Sequence, residues 1–290
     1  TGPAPRDSNT IDQARDKGLQ AIKAAERIVS LTPETVQRLQ RDVVDKLMSG
    51  IVQFKVTDLK MVLEHLEQFR VDHQRLASIL IETSSAPELV VANLENFRGL
   101  DQTKIITQLI VNERGDLIAA NLDKFIGFDQ PQAQARLAVA LMINGQGEAV
   151  AKYLAHFKRL SHLTVARVLI QRGYGYSLAL HFENFRGLDH SKVAQALIVA
   201  GEGASLAQYI EKFQGLDYPG LALQIVEHPA AKHLEYAKAF VSNLHKFPGA
   251  DIDRIAGRLI DIGQGWLIEA FPNQFVGIHP ATRGRLERDA

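Results

Sequence analysis

Several residue types and patterns are missing from this chain of 290 residues, and each absence excludes a class of chemistry. Cysteine is absent, which excludes disulfides, thiolate zinc sites and cysteine nucleophiles together. Charge of one sign is not in excess either, because 33 basic residues balance 33 acidic ones. Bulk charge therefore argues neither for nor against a polyanionic partner.

Long apolar runs are also missing. The longest is LAVALMI at 137–143, and a helix needs about 20 apolar residues to cross a bilayer, so we expect no membrane span. The first ten residues lack a basic segment followed by an apolar one, so no signal peptide is visible, and a start at Thr1 rather than Met is compatible with a removed leader. We expect a soluble protein, cytoplasmic or secreted, with a bacterial secreted effector as one setting.

Sequence signatures of catalysis are absent as well. The chain has no HExxH, no GxxxxGK[ST] and no GxSxG pattern. None of its ten histidines falls with carboxylates at the spacing of a metal site or a catalytic triad. We therefore expect a protein that is not an enzyme and that holds no cofactor and no metal.

A recurring phenylalanine dominates what the sequence does contain. Successive copies are separated by 28, 28, 32, 28, 28, 34 and 28 residues, which is an internal repeat. These anchor residues are Phe69, Phe97, Phe125, Phe157, Phe185, Phe213, Phe247 and Phe275.

The residues after each anchor predict a helix boundary. Two positions later stands a glycine, which permits the positive φ of a helix end: Gly99, Gly127, Gly187, Gly215, Gly249 and Gly277. Four positions later stands a side chain that can cap the next helix: Asp101, Asp129, Ser161, Asp189, Asp217 and Asp251. Each anchor is thus expected to close one helix just before another begins.

Apolar spacing completes the repeat. After the cap, apolar pairs recur with helical spacing, as in Val193-Ala194 and Leu197-Ile198. A glycine-containing loop follows, and a second helix then carries apolar residues seven and three positions before the next anchor and at the anchor itself. The repeating unit is a short first helix, a loop and a short second helix.

So small a helix pair cannot bury both apolar faces alone, so neighbouring pairs must stack. We therefore predict an all-α fold, a right-handed α-solenoid superhelix with an N-terminal helical cap. The expected domains are a disordered tail at 1–10, the cap at 11–55, the repeat array at 56–278 and a charged, partly disordered tail at 279–290. The cap should contain two longer helices, the second capped by Thr32.

The array resembles HEAT-like helix-pair solenoids, which implies binding of an extended partner. It is also similar in design to TAL-effector-like DNA-binding arrays, in which a loop between two helices presents a variable residue. Here the loop residue varies too: Arg114, Gln146, Tyr174, Glu202 and Gln264. The period of 28 residues departs from the longer repeat of that family, and its repeat consensus is absent.

Two groups of residues are candidates for binding. The first lies seven and eleven positions after the anchors, beside the buried face of each first helix, and we call it the first-helix stripe. Five of its residues are basic and none is acidic: Lys104, Arg136, Lys192, Arg254 and Arg258. A basic ribbon and a plain solvated face both explain this composition. The second group comprises the variable loop residues together with Trp266. Tyr174 and Trp266 are aromatic, and aromatic side chains dominate binding hot spots.

These observations predict a monomeric, non-enzymatic scaffold or adaptor that binds a protein or peptide along its inner surface. The alternative is a nucleic-acid-binding array in which the stripe contacts phosphates and the loop residues contact bases.

Overall fold

The structure is a computed structural model that describes residues 31–83 and 86–289, and every regular element in these ranges is helical. The chain divides between Leu117 and Ile118 into two compact units. The first helix of the predicted cap, the tail at 1–10 and the start of the cap at residue 11 fall outside the described residues.

The first unit begins with α1, Pro33–Leu39, which continues through a π-helical turn, Gln40–Val44, into α2, Asp45–Met48. The Thr32 side chain accepts the backbone N–H of Thr35, as predicted for the cap of this helix. The remaining helices are α3 Val56–Glu64, α4 His73–Glu82, α5 Pro87–Ala92, α6 Gln102–Val111 and α7 Gly115–Ala120, with the division falling inside α7.

The second unit continues the alternation of first and second helices. Its first helices are α8 Pro131–Ile143, α10 His162–Gln171, α12 His190–Val199, α14 Tyr218–Glu227 and α16 Ile252–Asp261. Its second helices are α9 Gly147–Lys152, α11 Gly175–Leu180, α13 Gly203–Gln208, α15 Leu234–Ser242 and α17 Trp266–Ala270. The last helix is α18, Pro280–Asp289.

Each second helix ends in a 3-10 turn that stops one residue before the anchor phenylalanine. These turns are Leu66–Gln68, Leu94–Asn96, Leu122–Lys124, Leu154–His156, Phe182–Asn184, Ile210–Lys212, Leu244–Lys246 and Pro272–Gln274. The anchors themselves are buried, and the ring of Phe182 stacks on that of Phe213 with centroids 3.9 Å apart. The predicted role of the anchor at the end of each helix pair is confirmed.

Within each unit, helices of the same kind contact each other. In the second unit α9, α11, α13 and α15 follow one another in contact, as do α10, α12, α14 and α16, and α16 also contacts α18. In the first unit α4 contacts α6, and α3 contacts α5. The apolar faces that one helix pair leaves open are therefore covered by neighbouring pairs.

The predicted caps of the first helices are confirmed in five repeats. The side chains of Asp101, Ser161, Asp189, Asp217 and Asp251 each accept the backbone N–H three residues further on. This bond satisfies a donor that has no partner inside the helix.

The predicted cap at Asp129 is wrong. Helix α8 starts at Pro131, so the N-cap position falls on Gln130, and the Asp129 carboxylate accepts the side-chain amide of Gln130 instead. Proline has no N–H and a fixed φ, which suits the first helical position and moves the start by one residue. The 32-residue interval between Phe125 and Phe157 is accommodated by a longer first helix, since α8 has 13 residues where α10 has 10.

The other irregular repeat and the C-terminal segment also form helix. A 3-10 turn, Pro229–Lys232, replaces the glycine loop between α14 and α15. The charge of residues 279–290 predicts a partly disordered tail, whereas the structure has helix α18 there, with Thr282 and Leu286 buried. Two well-placed side chains that pack inward outweigh the polar composition of this helix.

Candidate binding surface on the first helices

Two open grooves run along the first helices of the second unit, one on each side of α10. The α8/α10 groove has a volume of about 320 Å³, and the α10/α12 groove about 440 Å³. Small and apolar side chains line the α8/α10 groove, including Ala135, Ala138, Val139, Met142, Thr164 and Val168. The α10/α12 groove is lined by Leu163, Ala166, Ile170, Leu188, Val193 and Ala196, among others.

Part of the first-helix stripe lines these grooves, although of its five basic residues only Lys192 does so. Gln132, Thr164 and Val168 of the stripe line the α8/α10 groove, and Lys192 and Ala196 line the α10/α12 groove. The grooves depend on how far apart neighbouring first helices stand, which sequence spacing does not give.

Two of the predicted basic residues are already paired. The Lys192 ammonium lies 3.4 Å from the Asp189 carboxylate, and the Arg254 guanidinium lies 2.7 Å from Glu227. The pKa of Asp189 is lowered, chiefly because its carboxylate accepts the backbone N–H of Lys192, so this carboxyl stays ionised at neutral pH. Both cations are thus partly neutralised by acids beside the stripe.

The other predicted cations differ from one another. Arg258 is half-buried, and its Nε has no hydrogen-bond partner within the described ranges. Arg136 is exposed on α8, and Lys104 is exposed on α6 in the first unit. No acid of residues 31–83 and 86–289 forms an ion pair with either of these two. The five residues therefore do not make a uniform ribbon of available charge.

Three of the loop residues contact the preceding repeat. The Tyr174 hydroxyl donates to the Met142 carbonyl at 2.9 Å, and the Gln264 amide donates to the Lys232 carbonyl at 2.9 Å. Arg114 lies 3.7 Å from Glu88, and Gln146 is half-buried with its amide 3.5 Å from the Asn144 carbonyl. Tyr174, Gln264 and Arg114 thus link neighbouring repeats, whereas the Gln146 contact stays within its own loop.

The second glycine of the loop explains part of this packing. A Cβ placed on Gly147 would lie 2.5 Å from the Tyr174 ring, well inside ordinary contact distance. Only glycine lets the next repeat's loop residue approach this closely.

Trp266 is the loop residue that remains on the surface, with 46% of its area exposed. Its indole N–H donates to the Gln264 side chain at 3.3 Å, which fixes one edge of the ring. The rest of the ring is available for contact.

A set of backward hydrogen bonds was missed by the sequence analysis. The residue just before the anchor donates to a carbonyl near the end of the preceding second helix, whatever its identity. The donors are Asn96 to Leu63, His156 to Ala119, Asn184 to Ala151, Lys212 to Leu180, Lys246 to Gln208 and Gln274 to Ser242. These carbonyls have no partner inside their own helix, so each bond satisfies a helix end. The donors share a position, immediately before the anchor, but not a residue type.

Three histidines make a second recurring contact. Nδ1 of His73, His162 and His190 accepts the backbone N–H of Arg98, Arg186 and Gln214 at 2.7, 2.7 and 2.8 Å. A ring nitrogen can accept only when it carries no proton, so the contact at His73 requires an unprotonated Nδ1. The pKa of His73 is lowered, first because burial disfavours its charged form and then because Arg98 is near.

A tyrosine pair lies on the surface of the second helices. The hydroxyls of Tyr176 and Tyr209 are 2.7 Å apart, and their rings meet edge to face with centroids 5.5 Å apart. Desolvation, followed by the hydrogen bond with Tyr176, raises the pKa of Tyr209 to about 12. Tyr209 is therefore neutral at physiological pH, and the two rings offer a polar aromatic edge.

Arg159 and Arg167 are groove residues that the sequence analysis missed. Arg159 lines the α8/α10 groove and Arg167 the α10/α12 groove, and both side chains are exposed. Neither forms an ion pair with any residue of the described ranges.

Two signals in the sequence point to them. Arg159 stands two residues after an anchor, where the six other anchors from Phe97 to Phe275 have glycine. In addition, residues 130–182 contain six Lys or Arg and a single acid, Glu148.

Comparison with known proteins adds no assignment, since no protein-family model, curated protein or solved structure matches the chain. In residues 31–83 and 86–289, no three His, Asp or Glu side chains are grouped to hold a metal ion. No helix in those ranges has the length and apolar character needed to span a membrane. The resemblances to HEAT-like and TAL-effector-like arrays therefore remain resemblances of repeat design.

Proposed function

We propose that this chain is a non-enzymatic, right-handed α-solenoid that serves as a scaffold or adaptor and binds a protein or peptide partner across its first helices. The contacts between successive helices of the same kind within each unit support the solenoid arrangement. The recurring polar side chains form hydrogen bonds with backbone carbonyls and amides of neighbouring repeats. Because these side chains stabilise the stack of repeats, they support a binding role rather than a catalytic one.

The observation that carries this proposal is the pair of apolar grooves on either side of α10. Val139 is 44% exposed at one groove and Leu163 is 48% exposed at the other. Grooves lined by apolar side chains take up the side chains of a peptide, because burying them removes apolar surface from water.

The nucleic-acid alternative receives less support. Phosphate binding along the whole first-helix stripe needs a continuous row of available cations, whereas two of its five basic residues, Lys192 and Arg254, are paired with acids. Base reading needs free loop side chains, whereas Tyr174 and Gln264 are engaged with the preceding repeat. A groove floor of aliphatic side chains also gives nucleic acid little to contact.

Parallel selections test the proposal. A random peptide display library and a random oligonucleotide library are applied to the purified chain at low salt, where electrostatic attraction is least screened. We expect peptides to be enriched, and we expect their binding to be lost in V139E, which places a charge in the α8/α10 groove. The matched control is V276E, because Val276 is 80% exposed and lines neither groove. Enrichment of oligonucleotides alone would refute the proposal.

A further inference from the structure

The charge around α10 is strongly biased. The chain as a whole is neutral, yet residues 130–182, which include α8 and α10, hold six Lys or Arg and one acid. That acid, Glu148, lies on α9 with its carboxylate 3.8 Å from the His181 ring, and it lines neither groove. The segment that forms the α8/α10 groove is therefore basic.

The backbone at Arg159 is unusual in the same place. Arg159 has φ of 66°, in the left-handed region that side chains with a Cβ rarely adopt. The equivalent position after the next anchor is Gly187, with φ of 69°, so the turn itself requires this conformation. Glycine would adopt this conformation without strain, yet the chain has an exposed arginine here, at the edge of a groove. This strained position points to a role of Arg159 in binding.

The two grooves lie side by side, and each is lined by one arginine that forms no ion pair within the described ranges. The α10/α12 groove is also lined by Lys192 and Asp189, which are paired with each other. Arg159 borders the α8/α10 groove and Arg167 the α10/α12 groove, with α10 between them. Packed helices stand about 8–10 Å apart, and a peptide in the polyproline II conformation has three residues per turn and advances about 3.1 Å per residue. Apolar side chains three positions apart on such an extended peptide lie on one face, about 9 Å apart, and therefore reach successive grooves.

We propose that the α8/α10 and α10/α12 grooves bind an extended acidic peptide, whose two apolar side chains, three residues apart, enter the grooves while flanking carboxylates pair with Arg159 and Arg167. This specificity rests on the proposed function and adds the chemical class of the partner. Guanidinium groups bind carboxylates with two parallel hydrogen bonds, which fixes the orientation of the peptide as well as its charge.

The distinguishing measurement is the composition of the peptides selected from the display library. We expect enriched peptides to be acidic and to carry two aliphatic residues three positions apart. Enrichment of neutral or basic peptides would overturn the acidic specificity while leaving peptide binding intact. Failure to enrich any peptide would overturn both proposals.

Charge variants test the two arginines with a synthetic, fluorescein-labelled copy of an enriched peptide. We expect R159E and R167E each to weaken binding about tenfold, the loss of one charge-assisted pair. The matched control is R172E, since Arg172 is exposed in the same basic segment and lines neither groove. Equal weakening in all three variants would reduce the effect to bulk charge and overturn the assigned contacts.

One further variant keeps the test independent of folding. R159G removes the guanidinium and relieves the left-handed strain, so the variant remains folded. We expect it to bind the labelled peptide about tenfold more weakly while its melting temperature stays the same or rises. Unchanged binding by this folded variant would remove Arg159 from the site.

Discussion

Replacing Gly147 with alanine tests the packing between successive loops most directly. A Cβ at this position would lie 2.5, 2.6 and 2.8 Å from three carbons of the Tyr174 ring, where carbon atoms normally stand about 3.5–4.0 Å apart. The ring must therefore move by about 1 Å. Its hydroxyl bond to the Met142 carbonyl, 2.9 Å long, resists that movement.

The expected cost follows from these two effects. Overpacking costs about 1–3 kcal/mol, and loss of the tyrosine hydrogen bond costs about 1 kcal/mol. We expect G147A to lose about 2 kcal/mol of the free energy of unfolding, which lowers the melting temperature of a unit of this size by about 4–8 °C. Trp266, the only tryptophan and in the same unit, reports the transition by fluorescence.

A double-mutant cycle supplies the control. Y174A removes the ring, so adding G147A to it should cost nothing further, a coupling of about 2 kcal/mol between the two positions. G284A is the matched single control, because a Cβ at Gly284 meets nothing within 4 Å and the residue is in helix α18. It should be neutral or stabilise by up to about 1 kcal/mol. Equal costs for G147A and G284A, or the absence of coupling to Tyr174, would refute this account of the loop.

Three further expectations concern titration and repeat contacts. Because the pKa of His73 is lowered in the folded protein, the unfolded chain binds a proton at this site more readily than the folded one. The contribution of His73 to the free energy of unfolding should therefore be complete above about pH 6.5 and be lost as the pH drops through the folded pKa. In urea unfolding, H73N should lack this part of the pH dependence. The pKa of Tyr209, about 12 in the folded protein, should move down in Y176F when followed by ultraviolet absorbance, and an unchanged value would show that desolvation alone accounts for it. K246M should destabilise the second unit by about 1–2 kcal/mol in thermal unfolding, since the carbonyl of Gln208 loses its donor and Glu211 loses its ion-pair partner at 3.1 Å.

The all-α fold class and the helix boundaries could be predicted from the sequence because they depend on local chemistry. An anchor such as Phe185, the positive φ of Gly187 and the capping carboxylate of Asp189 all act within a few residues, so their spacing identifies the helix ends. Local chemistry also explains the failure at Asp129, where Pro131 shifts the helix start. The burial of Leu286 in α18 depends on tertiary packing, which composition does not reveal.

The candidate site could be predicted only in part, because charge pairing and groove width are set between helices. Periodicity identified the stripe face that includes Thr164 and Lys192, but not the pairing of Arg254 with Glu227, which are 27 residues apart. The loop position that Tyr174 occupies differs in residue type from repeat to repeat, as expected of residues that contact bases. The Tyr174 hydroxyl nevertheless contacts a carbonyl 32 residues earlier. The sequence shows that Arg159 replaces the glycine found at this position in other repeats. Its place beside the α8/α10 groove is evident only from the structure.

The backward hydrogen bonds give the second unit a direction along the chain. In each described case the donor belongs to the later repeat and the acceptor carbonyl to the earlier one, as with Asn184 and Ala151. During synthesis on the ribosome, a repeat that has already left the exit tunnel presents finished acceptors to the one that follows. Each new helix pair can therefore dock as soon as its anchor emerges, without waiting for residues still to be translated. Such a chain is suited to folding from its N-terminal side while translation proceeds.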